Sequence, residues 1–294
     1  MHKFLRAAGF SEYDSDAIVY RLIRNVVESP EYLSARLNLE DGSVLLEYRM
    51  PVNDNIGICA AILRSGREFS AIQYYYPYYN AFEISSTSIC TVERHTAIET
   101  YSGVIDEYNI GLSLIFFVSN PMDYRMLPET GELREFRGTS LTAFSNEAMV
   151  LLPVVPQDDV DVLDDLLMGM SEEELYEAAR SGDEDAIETI AESDINMFHQ
   201  ITERIESEDL YSLVEQSFMP CGVECDQYSI IGEILEIDEA LNNLTGQELW
   251  LLKISSNDVE FNMCIRKDDM LGEPLVGRRI KCKLWMTGRV DMGL

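Results

Sequence analysis

Arg36-Leu37-Asn38-Leu39-Glu40-Asp41-Gly42-Ser43-Val44-Leu45-Leu46-Glu47-Tyr48-Arg49-Met50 is the stretch on which the fold class turns. Leu37 and Leu39 alternate with polar neighbours. Val44, Leu46, Tyr48 and Met50 keep the same period after the Asp41-Gly42 pair. A period of two marks a pleated strand, because successive side chains point to opposite faces. Asp-Gly between two such runs predicts a tight hairpin, since glycine takes positive φ without strain. The pattern spreads outward. Gly57–Leu63 and Glu68–Tyr75 form a second predicted hairpin around Ser65-Gly66, and further strands are expected at Ser88–Glu93, Ile98–Val104, Gly111–Val118 and Met149–Val154. Upstream, Phe4, Leu5 and Ala8 have helical spacing that Gly9 ends. Asp14 caps a second helix with Ile18, Leu22 and Val26 inward and Val19 as a further candidate for that face, and Pro30 stops it. Residues 1–156 are therefore expected to form an antiparallel sheet with N-terminal helices on one side.

Charge divides the remainder. The 294 residues carry 53 acidic and 22 basic side chains, a net charge of −31. Residues 1–150 hold 20 acidic and 12 basic groups, residues 151–228 hold 22 and 2, and residues 229–294 hold 11 and 8. The acidic surplus thus sits in the middle. Ser171-Glu172-Glu173-Glu174 is a capping box there, and Asp183, Asp194 and Ser207 open further helices, the last ending before Pro220. Residues 157–220 are expected to be an acidic helical segment. Strand-like runs at Tyr228–Ile237, Leu249–Ser255, Val259–Arg266 and Arg278–Val290, with a short helix at Lys267–Leu271, predict a small C-terminal β-barrel over residues 221–294. An OB-type barrel is one candidate for it. The whole is an α+β chain.

Such acidity disfavours binding to a phosphate backbone or an anionic membrane, both of which need a basic face. The longest apolar runs, Gly111–Val118 and Ala148–Val155, fall short of the roughly 20 residues a bilayer requires. The basic start Met1–Arg6 has no apolar run behind it, so no secretory signal is read. Six scattered cysteines then read as reduced thiols, and a cytoplasmic setting is expected.

Several stretches carry a resemblance. Met1-His2-Lys3-Phe4-Leu5-Arg6-Ala7-Ala8-Gly9-Phe10, Tyr74-Tyr75-Tyr76-Pro77-Tyr78, Glu93-Arg94-His95, Gly111–Phe117 and Phe218–Tyr228 resemble an uncharacterised bacterial family of anaerobic Gram-positive genomes. The likeness runs over nearly the whole chain. It implies one intact protein and carries over no activity and no site residues.

No phosphate-cradling glycine loop, serine-hydrolase elbow or zincin helix occurs. His95 lies among Glu93, Arg94, Glu99, Asp106 and Glu107, with Cys90 and Ser102 as nearby nucleophiles. That set admits a hydrolase, although an ion-paired histidine at a strand end is the preferred reading. Cys221 and Cys225 lack the second ligand pair a zinc site needs. Asp158, Asp159, Asp161, Asp164 and Asp165 fail the spacing of a calcium loop. Tyr75, Tyr76 and Tyr78 belong to a dense aromatic run, read as a twice-covered strand ahead of a binding face. Arg279, Lys281, Lys283 and Trp285 share one face of a strand. They admit single-stranded nucleic acid with Trp285 stacking on a base, although docking onto the protein's own acidic segment is preferred.

These expectations name no catalytic residue, no metal ligand and no cofactor. They describe a non-enzymatic protein-binding or regulatory module that meets a basic protein through its acidic helical surface. Nucleic acid and membrane are disfavoured, and the oligomeric state is left open.

Overall fold

The computed structural model describes residues 2–66, 68–94, 100–107, 110–125, 136–151, 180, 183 and 214–292. Contacts gather residues 1–151 with 216–294 into one unit and residues 152–215 into a second. The expected acidic helices at 157–213 lie outside the described residues, apart from positions 180 and 183.

The Asp41-Gly42 turn joins β1 (Leu33–Asn38) to β2 (Val44–Pro51), with Asn38 opposite Val44. Gly42 has φ +80°, and Asp41 Oδ1 accepts the Ser43 backbone N–H at 2.9 Å. β3 (Ile56–Ser65) and β4 (Glu68–Tyr79) follow, giving an antiparallel sheet in the order β1-β2-β3-β4. The helix α1 (Asp16–Glu28) buries Val19, Leu22, Ile23 and Val26. A 3₁₀ helix at Lys3–Ala8 buries Phe4, Leu5, Ala7 and Ala8 and ends at Gly9, φ +83°.

The second sheet contains a closed barrel. Its five strands are β8 (Gly138–Val150), β10 (Gln227–Leu241), β11 (Glu248–Ser256), β12 (Val259–Arg266) and β14 (Arg279–Asp291). The ring runs β8-β12-β11-β10-β14 and closes because β14 also pairs with β8 from Ile280↔Val150 to Asp291↔Gly138. β7 (Leu112–Val118) pairs in parallel with the far end of β14. β6 (Tyr101–Glu107) and β5 (Cys90–Arg94) continue that edge. The short strands β9 (Ser217–Pro220) and β13 (Met270–Leu271) border β10 and β8. A short α2 (Pro121–Arg125) follows β7.

Three sequence expectations change. The barrel is not built from residues 221–294 alone, because its closing strand β8 comes from upstream of the acidic stretch. That strand is also longer than the expected Met149–Val154, starting at Gly138. The acidic helical segment expected over 157–220 does not include its last four residues, since Ser217–Pro220 pair with β10 as a strand.

Two apolar clusters hold this unit together. Leu141, Ala143, Ile230, Ile234, Leu252, Ile254, Phe261, Met263, Ile280, Leu284 and Met286 belong to one, with Phe116 and Val118 of β7. The other joins the first sheet and the N-terminal helices to Phe144, Leu249, Leu251, Cys264 and Trp285 of the barrel wall. The N-terminal 3₁₀ helix sits in this second cluster. Phe4 stacks on Trp285 at 5.7 Å between ring centres, and Cys264 donates to Ala7 O at 3.3 Å.

Candidate functional site

The open concavity of the barrel wall begins at an irregularity in pairing. Lys283 lies opposite Glu147, but Leu284 lies opposite Ser145, so Asn146 is an extra residue on β8. Such a bulge re-aims a side chain out of the regular pleat. Ser145 Oγ steadies it, 2.7 Å from Glu147 O and 2.8 Å from Lys283 O. Asn146 Nδ2 donates to Lys3 O at 2.9 Å, while its Oδ1 is buried with no partner among the described residues.

Two adjoining clefts share Asn146, Glu147 and Lys283. One, of about 520 Å³, runs over Met149, Met270, Leu271 and Lys281 toward Asp268 and Asp269. The other, of about 370 Å³, runs toward Phe4, Cys221, Gly222 and Gln227. Ion pairs line both. Lys283 Nζ meets Glu147 Oε1 at 2.9 Å, and this pairing pushes the Lys283 pKa up. Lys3 Nζ meets Glu224 at 3.0 Å and Gln227 Oε1 at 2.8 Å. Asp269 is held by Arg6, with Nε at 2.8 Å, and lies 3.5 Å from Arg266. The concavity is open and lined by both charged and apolar side chains, which suits binding of an extended group better than proton transfer.

A second polar cluster lies closed inside the first sheet. Glu47, Arg49, Cys59, Tyr74, Tyr76 and Tyr78 come to one face through the pairs Arg49↔Cys59↔Tyr76 and Glu47↔Ala61↔Tyr74. Arg49 Nε donates to Glu47 Oε1 at 2.9 Å, and Arg49 Nη2 donates to Ser119 O at 2.5 Å. Tyr76 donates to the same carbonyl at 3.1 Å, and Arg49 lies 5.2 Å over the Tyr78 ring. Burial pushes the Cys59 thiol and the Tyr76 phenol far up, and Tyr78 to about 12. Cys59, Tyr76 and Tyr78 therefore stay protonated at neutral pH. They are poor acid–base catalysts, and the cluster is structural.

Of the residues singled out in the sequence, the clefts take in Cys221, Lys281 and Lys283. Arg279 is half-buried at the start of β14. Trp285, 4% exposed, is enclosed by Phe4, His2, Phe117 and Phe144, and its Nε1 donates to Asp226 at 2.7 Å. A base-stacking role for Trp285 is therefore corrected to a core role. Tyr76 and Tyr78 are buried, so the exposed-platform reading fails for them too. Tyr75 points to the helix side, where its hydroxyl reaches Asp16 at 3.2 Å and its ring meets Tyr20 edge-on; burial raises its pKa to about 12. His95 lies outside the described residues, as do the aspartates of 158–165. Cys90 and Ser102 lie on the neighbouring strands β5 and β6, where the register pairs Cys90 with Ile105 and Ser102 with Glu93.

Asn146, Glu147, Asp268, Asp269 and Met270 were not singled out. No motif marks them, and the bulge that gathers them is a property of pairing between distant strands. Among the described residues no group of three His, Cys, Asp or Glu side chains is placed to hold a metal ion, and no helix is long and apolar enough to cross a membrane.

No curated protein and no solved structure matches the chain. A family model does, described as "Domain of unknown function, E. rectale Gene description (DUF3881)", and it covers residues 5–288. That span takes in strands of both sheets and the acidic stretch that follows β8 in the sequence, and the chain belongs to this family.

Proposed function

We propose that this protein is a non-enzymatic binding module that recruits a basic protein partner through the acidic stretch 157–220. In this reading the stretch is a helical segment that follows β8 and precedes β9 in the sequence, both of them strands of the second sheet. The observation that carries it is where charge is left uncompensated. Residues 157–220 hold 20 acidic and 2 basic side chains, so they have almost no cations of their own. Elsewhere eight cations are matched at short range. Lys3, Arg6, Arg49, Lys253, Arg266, Lys267, Lys283 and Arg289 each lie within 4.0 Å of a carboxylate. An uncompensated acidic surface speeds encounter with a cationic partner and makes binding salt-sensitive. The six free cysteines support a reducing, cytoplasmic setting for it.

The barrel connectivity supports the same choice over nucleic acid. The ring β10-β11-β12-β8-β14, with β12 and β8 parallel, is the strand order of an OB barrel whose last strand has moved to the front of the sequence. OB barrels bind oligonucleotides on the face of their second and third strands. Here those strands are β11 and β12, and Leu249, Leu251 and Cys264 on them are buried in the cluster that holds the N-terminal helices. The face is occupied by the chain itself.

The test is calorimetric titration of the full chain with a lysine- and arginine-rich peptide. Binding is expected at low salt and should weaken by about tenfold or more when carboxylates of 157–220 become amides. Unchanged affinity in that variant overturns the reading.

A further inference from the structure

The loop between β9 and β10 brings two thiols of unlike exposure into one short turn. Cys221 donates its backbone N–H to Gln227 O at 2.9 Å, so the loop Gly222–Asp226 starts and ends one strand spacing apart. Gly222, at φ +81°, turns the chain, and Gln227 N reaches back to Glu224 O at 3.4 Å. Asp226 is anchored from both sides, by Trp285 Nε1 at 2.7 Å and by Met286 N to its carbonyl at 2.8 Å. Val223 at the tip is fully exposed.

The other cysteines differ. Cys59, Cys264 and Cys282 are buried and their thiols are pushed far up by burial; Cys90 is half-buried on β5. Cys225 is the one exposed cysteine of the six. Cys221 is half-buried in the wall of the smaller cleft. Burial raises its pKa, and the ammonium groups of Lys283 and Lys3 oppose that rise. Oxidants reach exposed thiols first, and a neighbouring thiol then resolves the product.

We propose that Cys225 and Cys221 form an oxidative modification site whose co-reactant is a hydroperoxide. The Cys225 thiolate attacks the peroxide O–O bond, giving the sulfenic acid and releasing hydroxide, or an alkoxide from an organic peroxide. Cys221 sulfur then attacks the Cys225 sulfur. The S–S bond forms, the sulfenic oxygen leaves as water with the Cys221 proton, and the peroxide has taken the two electrons. The loop also carries Glu224, which together with Gln227 anchors Lys3 of the N-terminal helix. The disulfide therefore closes a loop that borders the cleft and holds the chain's first turn.

Full-length reduced protein treated with hydrogen peroxide tests this by peptide mass mapping. The expected product is loss of two hydrogens on the peptide that holds both residues, reversed by dithiothreitol. C221S should stop at the sulfenic acid, trapped on Cys225 by dimedone, and C225S should leave Cys221 as the thiol. Both serines are near-isosteric at a loop, and retained far-UV circular dichroism shows that they fold. Peroxide that drives wild-type Cys225 to the sulfinic acid with Cys221 still a thiol overturns the proposal. So does a wild-type product linked between two chains.

Discussion

Strand β14 carries outward side chains at Lys281, Lys283 and Trp285, and they meet different fates although the sequence treats them alike. Lys283 is exposed over an open cleft, while Trp285 is buried under the N-terminal 3₁₀ helix and β7. Alternation along the strand sets which way a side chain points. What covers that side chain is decided by segments far away in sequence, here Phe4 and Phe117. The difference teaches that a basic stripe ending in tryptophan is not a single surface. Half of it is wall, and half is core.

The comparison breaks first at Trp285. Trp285→Ala is expected to cost about 3–5 kcal/mol in chemical denaturation, as removal of a large buried ring does. A loss below about 1 kcal/mol, the range of surface changes, means the N-terminal helix does not cover it. Arg49→Met should cost a similar amount, about 3–5 kcal/mol, because it leaves the Glu47 carboxylate buried without its cation. Adding Glu47→Gln should recover much of that loss; failure to do so means the pair is not the cause.

His2 sharpens the picture through pH. Its ring lies 4.5 Å from the Trp285 ring, and burial, aided by Lys3, lowers its pKa from 6.5 to about 4. The unfolded chain binds this proton more readily than the folded one between those values. The contribution is complete above pH 6.5 and is lost as pH falls toward 4, by up to about 3 kcal/mol. The stability difference between wild type and His2→Phe should therefore change across that window; a constant difference removes His2 from the account. The smallest effect is expected at the open end. Lys283→Ala should shift stability by less than about 0.5 kcal/mol, since the Lys283–Glu147 pair is solvent-exposed.

Local chemistry made much of the fold legible. The Asp41-Gly42 hairpin, the second hairpin, α1 and the strands at 227–241, 248–256, 259–266 and 279–291 follow from period and turn residues. What stayed hidden is long-range. β8 closes the barrel across the acidic stretch, and its run Gly138–Val150 has polar residues, Thr139, Ser140, Thr142 and Ser145, that are buried as ladder and hydrogen-bonding positions. Alternation does not reveal such a strand, so its start was missed. The candidate cleft was half visible, through Lys281 and Lys283. The Asn146 bulge, with Asp268, Asp269 and Met270, exists only once β8, β13 and β14 are side by side. Tyr76 and Tyr78 read in the sequence as a twice-covered strand, whereas Trp285 reads as part of a basic face, because the rings that cover it, Phe4 and Phe117, are distant in sequence.

The central claim is that uncompensated charge lies in 157–220 and not on the barrel. The most direct measurement is the salt dependence of the association constant for a cationic peptide, made on wild type and two variants. One variant neutralises carboxylates within 157–220, and the other neutralises an equal number between 229 and 294. The account predicts a flattened salt slope and weakened binding in the first variant alone. An equal change in both, or a slope unaltered in the first, contradicts it.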